Sequence, residues 1–166
     1  MMTGHAPPAR DADTAVLRAG RVDDADRLWA LRTRCVRELC SAAYPPEVIA
    51  PWSASPPPAH YHALIAQGGC IVAEDAQERL LGYAVIDRDG NEIDALFVDP
   101  DCGGRGIGMR LMGAMQALAD PGRPLVLSAS LNAVPFYQRA GFVALREETY
   151  PHPSGIALAS VRMQRG

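Results

Sequence analysis

Apolar residues recur three to four apart at Leu28, Leu31, Cys35 and Leu39, and again at Ile107, Leu111, Met115 and Leu118. That spacing sets each group on one face of a helix and predicts helices over 22–40 and 107–118. The first opens on aspartates, which suit the positive end of the helix dipole. The second stops at "ADPGRP", where proline and glycine forbid continuation. Seven short runs rich in aliphatic and β-branched residues read instead as strands: 15–20, 70–75, 79–90, 92–100, 124–131, 142–150 and 156–164. A third, shorter helix is predicted over 132–140, with Asn132 placed to cap it and Gly141 to end it.

Residues 42–67 hold six prolines, which break any long helix and leave short helical pieces joined by turns. The three strands between 70 and 100 are linked by short turns such as "DRDGN" and predict an antiparallel meander. The long helix that follows forces the strands flanking it to run parallel. The fold class is therefore α/β: a mixed, mostly antiparallel twisted sheet of about seven strands with helices on both faces. Residues 1–14 are small, polar and proline-containing, with too little apolar surface to offset ordering. A flexible N-terminal tail is expected there, ahead of one domain over 15–166.

Charge narrows the function classes. All 16 basic residues are arginine and are scattered along the chain, and the net charge is −3. Without a cationic stripe, nucleic acid is excluded as the main partner. Without lysine, so are P-loop phosphate chemistry and Schiff-base catalysis. Cys35, Cys40, Cys70 and Cys102 form no C-x-x-C pair, and His5, His60, His62 and His152 lack metal-pair spacing, so no metal is expected. His60 and His62 are given no chemical role. No signal-like or membrane-length apolar run is present, which leads to the expectation of a cytoplasmic protein without a membrane partner.

The stretch "DPDCGGRGIGMRLM" places four glycines in six positions between a strand and a helix. Unpaired backbone N–H groups and the helix dipole converge there, an arrangement that binds anions, above all phosphates. The dinucleotide fingerprint G-x-G-x-x-G fails in every frame: Gly104 and Gly106 would need glycine at Met109, and Gly106 and Gly108 would need it at Leu111. The P-loop frame from Gly103 to Gly108 is followed by Met109 where lysine is required.

"LFVDPDCGGRGIGMRLM" resembles motif A of the GNAT superfamily of N-acetyltransferases, and "SASLNAVPFYQRAGFVALRE" is similar to its motif B. The order of elements is similar from about Val16 onward. One departure stands in motif A, where Gly103 occupies a position usually held by Gln or Arg. The resemblance implies a splay between the fourth and fifth strands that receives the pantetheine arm of acetyl-CoA as cosubstrate. It implies arm contacts from the backbone of Phe97 and Val98, an oxyanion donor near Leu96 or Val98, and diphosphate contacts from Gly103, Gly104, Arg105, Gly106, Ile107 and Gly108. Arg105 or Arg110 would compensate for the side chain missing at Gly103. Relatives are frequently dimers, so the resemblance leaves a homodimer open.

Acetyl transfer to an amine needs a base on the acceptor side and an acid near sulfur. Tyr137 matches the family's usual acid, and its ordinary pKa near 10 keeps it protonated at neutral pH; a core tyrosine with a structural hydroxyl bond is the alternative. Glu92 and Asp94 are two apart in a strand and share a face, and either could serve as base or simply be solvated. Asn132 contacts the cofactor or only caps its helix. Ser128 and Ser130 line the cleft or pack as small residues. Acceptor specificity is expected from the proline-rich segment and the last hairpin, with Tyr44, Trp52, Tyr61 and Tyr150 as candidate walls. The function implied is N-acetylation of a primary amine on a small molecule or peptide. The alternative is a catalytically inactive acyl-CoA-binding or sensing domain.

Overall fold

The computed structural model of the chain describes residues 15–166, and the tail expected over 1–14 lies outside the described residues. Seven strands form one sheet: β1 (Val16–Ala19), β2 (Cys70–Glu74), β3 (Leu80–Asp87), β4 (Glu92–Val98), β5 (Leu125–Ala129), β6 (Val143–Pro151) and β7 (Ala157–Arg165). Their spatial order is β1-β2-β3-β4-β5-β7-β6. Every neighbouring pair is antiparallel except β4 and β5, which are parallel and joined through a helix, as a crossover demands.

Helix α4 (Ile107–Leu118) and the short α5 (Val134–Arg139) cover one face. Leu111, Met112 and Met115 pack there with Ala84, Ile86, Leu127 and Met163. Helices α1 (Ala25–Glu38) and α3 (Tyr61–Ala66) cover the other, where Leu28, Leu31, Cys35 and Tyr61 meet Val72, Tyr83 and Val85. Between α1 and α3 the proline-rich segment folds as α2 (Pro46–Ala54), with Pro46 in its first turn, where a missing N–H costs nothing. The buried stripe of α1 differs from the apolar spacing in one place. The helix ends at Glu38, so Leu39 sits past it and is 42% exposed, while Arg32 and Val36 join the buried face.

Two polar clusters lock the frame. The Asp24 carboxylate at the head of α1 accepts from Arg18 of β1 at 2.8 and 2.9 Å, from Arg27 at 3.1 Å and from the Arg21 amide at 2.8 Å. Glu74 of β2 accepts from the same two guanidinium groups. Asn91, in the left-handed conformation and buried, donates to the carbonyls of Asp120, Arg123 and Pro124 and accepts from the Asp120 amide at 2.8 Å. The turn before β4 is thereby tied to the loop that feeds β5, which brings the first residues of those strands together.

Candidate active site

Strands β4 and β5 pair only at their starts, Glu92 with Val126 and Ile93 with Leu127. Beyond them the strands part. A bulge sits at the same place on the other edge of β4: Ile93 lies opposite Ile86 and Ala95 opposite Val85, so Asp94 has no partner residue on β3. An extra residue bends its strand and increases local twist, which turns the rest of β4 away from β5. Asp99 donates its N–H to the Leu81 carbonyl at 2.8 Å. In an antiparallel ladder the hydrogen-bonded pairs alternate, so Ala95, Phe97 and Asp99 direct their amides and carbonyls to β3. Leu96 and Val98 direct theirs away from β3, toward the gap, where the Val98 carbonyl accepts from the Cys35 thiol at 3.3 Å. The arm contact expected from the Phe97 backbone is therefore not offered, because its groups are engaged with β3.

At the far end of β4, Asp99 is buried and holds the turn. Its carboxylate accepts from the Asp101 amide at 2.9 Å and from Arg34 at 3.0 Å, and its carbonyl accepts from the Cys102 amide. A 3-10 turn over Pro100–Cys102 then leads into the glycines. Gly104 and Gly106 adopt φ of 78° and 75°, a region that a side chain with a Cβ enters only at a cost. Gly106 stands immediately before α4. Among the described residues, no loop or turn hydrogen bond between backbone groups uses the N–H of Gly103, Gly104, Arg105, Gly106, Ile107 or Gly108. Ile107 and Gly108 open α4, so their N–H groups belong to the unpaired donors of a helix's first turn. Arg110 donates to the Ala15 carbonyl at 2.8 Å, so its guanidinium is engaged with the chain ahead of β1, whereas Arg105 flanks the glycines directly.

A cavity of about 600 Å³ runs from the gap into the space under α1, α2 and α3. Leu96, Phe97, Val98 and Gly108 border it near the glycine loop, and Asp94, Ser128, Ser130, Asn132 and Tyr137 line it as well. At Gly108 an added Cβ would stand 3.0 Å from the Phe136 ring, so glycine keeps this wall open. Tyr137 is buried, its ring packed edge-on to Phe136 and Phe142, and burial raises its phenol above the ordinary range. The structural hydroxyl bond considered for it has no acceptor among the described residues.

The two candidate carboxylates part company. Glu92 is ion-paired with Arg162 of β7 at 2.8 Å, and Arg162 also donates to Ser128; Glu92 does not line the cavity. Asp94 does, with its side chain 30% exposed into that space and 3.4 Å from Nε2 of His60, at the head of α3. Removal from bulk water raises the Asp94 pKa, partly countered by His60. Sequence spacing overlooked His60; its one readable signal was a position in the segment expected to cover the site.

Asn132 does not cap its helix. A 3-10 turn over Leu131–Ala133 delays α5 to Val134, with Pro135 in its first turn, and leaves Asn132 within the turn, facing the cavity. Trp52, Tyr61 and Tyr150 are cavity walls, as is Trp29, which the sequence did not single out. Tyr44 is not. It is buried against Trp52 and Leu158, donates to the Ala159 carbonyl and accepts from the Leu131 amide, tying the chain just ahead of α2 to β7 and to the turn after β5.

A parallel pair that opens beyond its second residue, with free amides at the end of the opened strand, is the geometry anticipated from the motifs. The model of the acetyltransferase (GNAT) domain family matches residues 40–163. The chain belongs to that family. Among solved GNAT structures, a GCN5-related N-acetyltransferase from Rhodopseudomonas palustris superposes with a TM-score of 0.78 at 29% identity, covering 92% of this chain and 96% of that one. The PaiA N-acetyltransferase of Thermoplasma acidophilum, solved with coenzyme A, shares the fold at a TM-score of 0.63 and 18% identity, over 91% of this chain and 98% of that one. By sequence, the uncharacterised N-acetyltransferase YafP of Escherichia coli is 29% identical over 125 residues, 75% of this chain and 79% of YafP. The uncharacterised protein ML0378 of Mycobacterium leprae is 32% identical over 111 residues, 61% of this chain but only 30% of that protein's length.

Proposed function

We propose that this chain transfers the acetyl group of acetyl-CoA to a primary amine of a small molecule or peptide. The observation that carries the reading is the opening between β4 and β5 beyond Ile93 and Leu127, with the glycine-loop amides, which make no loop or turn bond to backbone among the described residues, at its end. In this reading the amides of Gly103, Gly104, Arg105, Gly106, Ile107 and Gly108 hold the diphosphate, with Arg105 supplying a cation where Gly103 offers no side chain. The gap-facing N–H and carbonyl of Leu96 and the N–H of Val98 hold the arm, and one of these N–H groups polarises the thioester carbonyl. Asn132 meets the arm from the β5 side.

The amine nitrogen forms a bond to the carbonyl carbon as the carbon–sulfur bond breaks. The amine proton passes to Asp94, directly or through His60 or water. The departing thiolate takes the proton of Tyr137, which burial keeps on the phenol at working pH. A covalent detour through cysteine is disfavoured, since burial pushes the Cys35 thiol up to about 12 and also raises Cys40, the two that reach the cavity. All four cysteines are buried and free, which supports a reducing cytoplasm as the site of action. Among the described residues no helix is long and apolar enough to cross a membrane. Thiol release from acetyl-CoA over a panel of amines tests the proposal. Turnover with at least one amine is expected; CoA binding with no thiol released on any amine would favour a binding domain.

A further inference from the structure

Arg32 lies on the buried face of α1 and is 5% exposed, yet its side chain borders the acceptor end of the cavity. It carries a full charge without a carboxylate partner among the described residues. Its guanidinium donates to the Ser53 carbonyl at 3.3 Å, the Trp52 carbonyl at 2.9 Å and Oγ of Ser55 at 3.1 Å, and it lies 4.3 Å from the centroid of the Trp29 ring. These contacts use three of the five N–H groups an arginine offers. They orient the fork, and carbonyl dipoles and a ring face offset only part of a buried charge. Desolvation presses the Arg32 pKa downward, the mark of a cation short of counter-charge.

The rest of the cavity sharpens the picture. Asp94 carries the opposite sign on the same cavity, and it is paired with His60, not with Arg32. His152 also borders the space, and burial, helped by the charge of Arg32, holds it toward its neutral form. Trp29, Trp52, Tyr61, Leu39 and Leu158 supply apolar walls between these groups. Arg32 and Asp94 thus line one chamber, with apolar and neutral polar walls, without pairing with each other.

We infer that the acceptor is an amine that also bears a carboxylate, an amino acid or amino-acid-like molecule, whose acid group pairs with Arg32 while its amine is presented beside Asp94. This deepens the acetyl-transfer reading and rests on it for the role of the amine. The contacts on Nη1 and Nη2 leave Nε–H and one N–H of Nη1 unused, and a carboxylate accepting from either makes a charge-assisted hydrogen bond. Arg32 is the one arginine among the described residues that line the cavity, and a single guanidinium suits a singly charged acid better than a doubly charged phosphate.

The test compares matched acceptors with and without the acid: phenylalanine against phenethylamine, leucine against 3-methylbutylamine, 4-aminobutanoate against butylamine, and 6-aminohexanoate against hexylamine. In at least one pair the carboxylate-bearing member should show a kcat/KM higher by about tenfold or more. Arg32→Gln should bring that ratio toward one, with a loss of about 100-fold on the carboxylate member, the scale of a broken buried charge pair. Preference for the carboxylate-free amine in every pair, or a ratio that Arg32→Gln leaves intact, overturns the inference. If the Gln variant does not fold, the wild-type ratios decide. Calorimetric titration of the same pairs into the CoA-loaded protein separates this claim from catalysis. Selective binding of the carboxylate member with no thiol released sustains the acidic acceptor and sinks acetyl transfer; equal or absent binding of both members, alongside turnover of simple amines, does the reverse.

Discussion

Replacing Asp94 by Asn removes one charge and one proton acceptor while keeping the shape of the side chain. Asp94 is the carboxylate that reaches the cavity, and its polar partner is His60 at 3.4 Å, a loose contact. A positioned general base contributes about 10²–10⁴-fold. Because the side chain is 30% exposed into the cavity and water has access to the same spot, the loss belongs at the low end. A fall of about 100-fold in turnover, about 2.7 kcal/mol of barrier, is expected. Stability should move the other way. The Asp94 pKa is raised by desolvation, with Glu92 and Asp87 adding repulsion and His60 opposing both. A carboxyl whose folded pKa is raised stabilises the fold below its unfolded pKa and loses that contribution as pH rises through the folded value. At neutral pH Asp94 is therefore a burden on folding, and Asp94→Asn should melt no lower than wild type. The assay is thiol release as a function of pH, with a thermal melt on the same sample. The acidic limb of kcat/KM set by Asp94 should vanish in the variant, leaving only ionisation of the amine. Unchanged turnover, or a loss matched by a fall in Tm, would refute the assignment.

Tyr137→Phe should lower turnover by about 10²-fold or more while acetyl-CoA affinity stays close to wild type, as loss of an acid needed only in the transition state requires; single-turnover kinetics check this, and unchanged turnover removes Tyr137 from the mechanism. Gly106→Val puts a β-branched residue at φ 75° in the glycine turn ahead of α4, so CoA binding measured by calorimetry should be lost, and wild-type affinity would contradict the loop assignment. Asp24→Asn leaves Arg18 and Arg27 facing a neutral group. Breaking a buried pair costs about 3–5 kcal/mol, and since Arg18 and Arg27 are 22% and 38% exposed and keep Glu74, about 2–3 kcal/mol in denaturant unfolding is expected. The Asp24 and Glu74 pKa values are depressed by those arginines. Their stabilisation is therefore present above the ordinary carboxylate range near pH 4 and lost as pH falls below it, and a variant as acid-sensitive as wild type would count against this account.

The architecture was readable because its signals are local. Alternation, turns and helical spacing marked the seven strands, α1, α4 and α5, and the glycine loop stood out by composition alone. Of the candidate site, the glycines picked out from the sequence over 103–108 do stand between β4 and the body of α4, and Tyr137 does border the cavity beside the opened strand. What escaped notice depends on contacts distant in sequence. His60 and Asp94 are 34 positions apart and meet because α3, packed on β3, sets the residue at its head beside the neighbouring strand β4. The bulge at Asp94 is a property of pairing with β3, invisible in the alternation of β4 itself. Arg32 did leave a trace. It lies four residues after Leu28 and three before Cys35, on the apolar stripe of α1, where a charged residue signals either a buried network or a ligand. Asn132 misled because its residue type favours a cap, while the intervening 3-10 turn moved the helix start past it.

The central claim, that free amides of the glycine loop and of the opened edge of β4 grip an acyl-CoA, is tested most directly by following backbone amide resonances as CoA is titrated into the ¹⁵N-labelled protein. The account predicts the largest shifts at Gly103, Gly104, Arg105, Gly106, Ile107 and Gly108, and at Leu96 and Val98, with those of β2 left near their starting positions. Saturable CoA binding that moves other amides and leaves the loop and β4 still would contradict it.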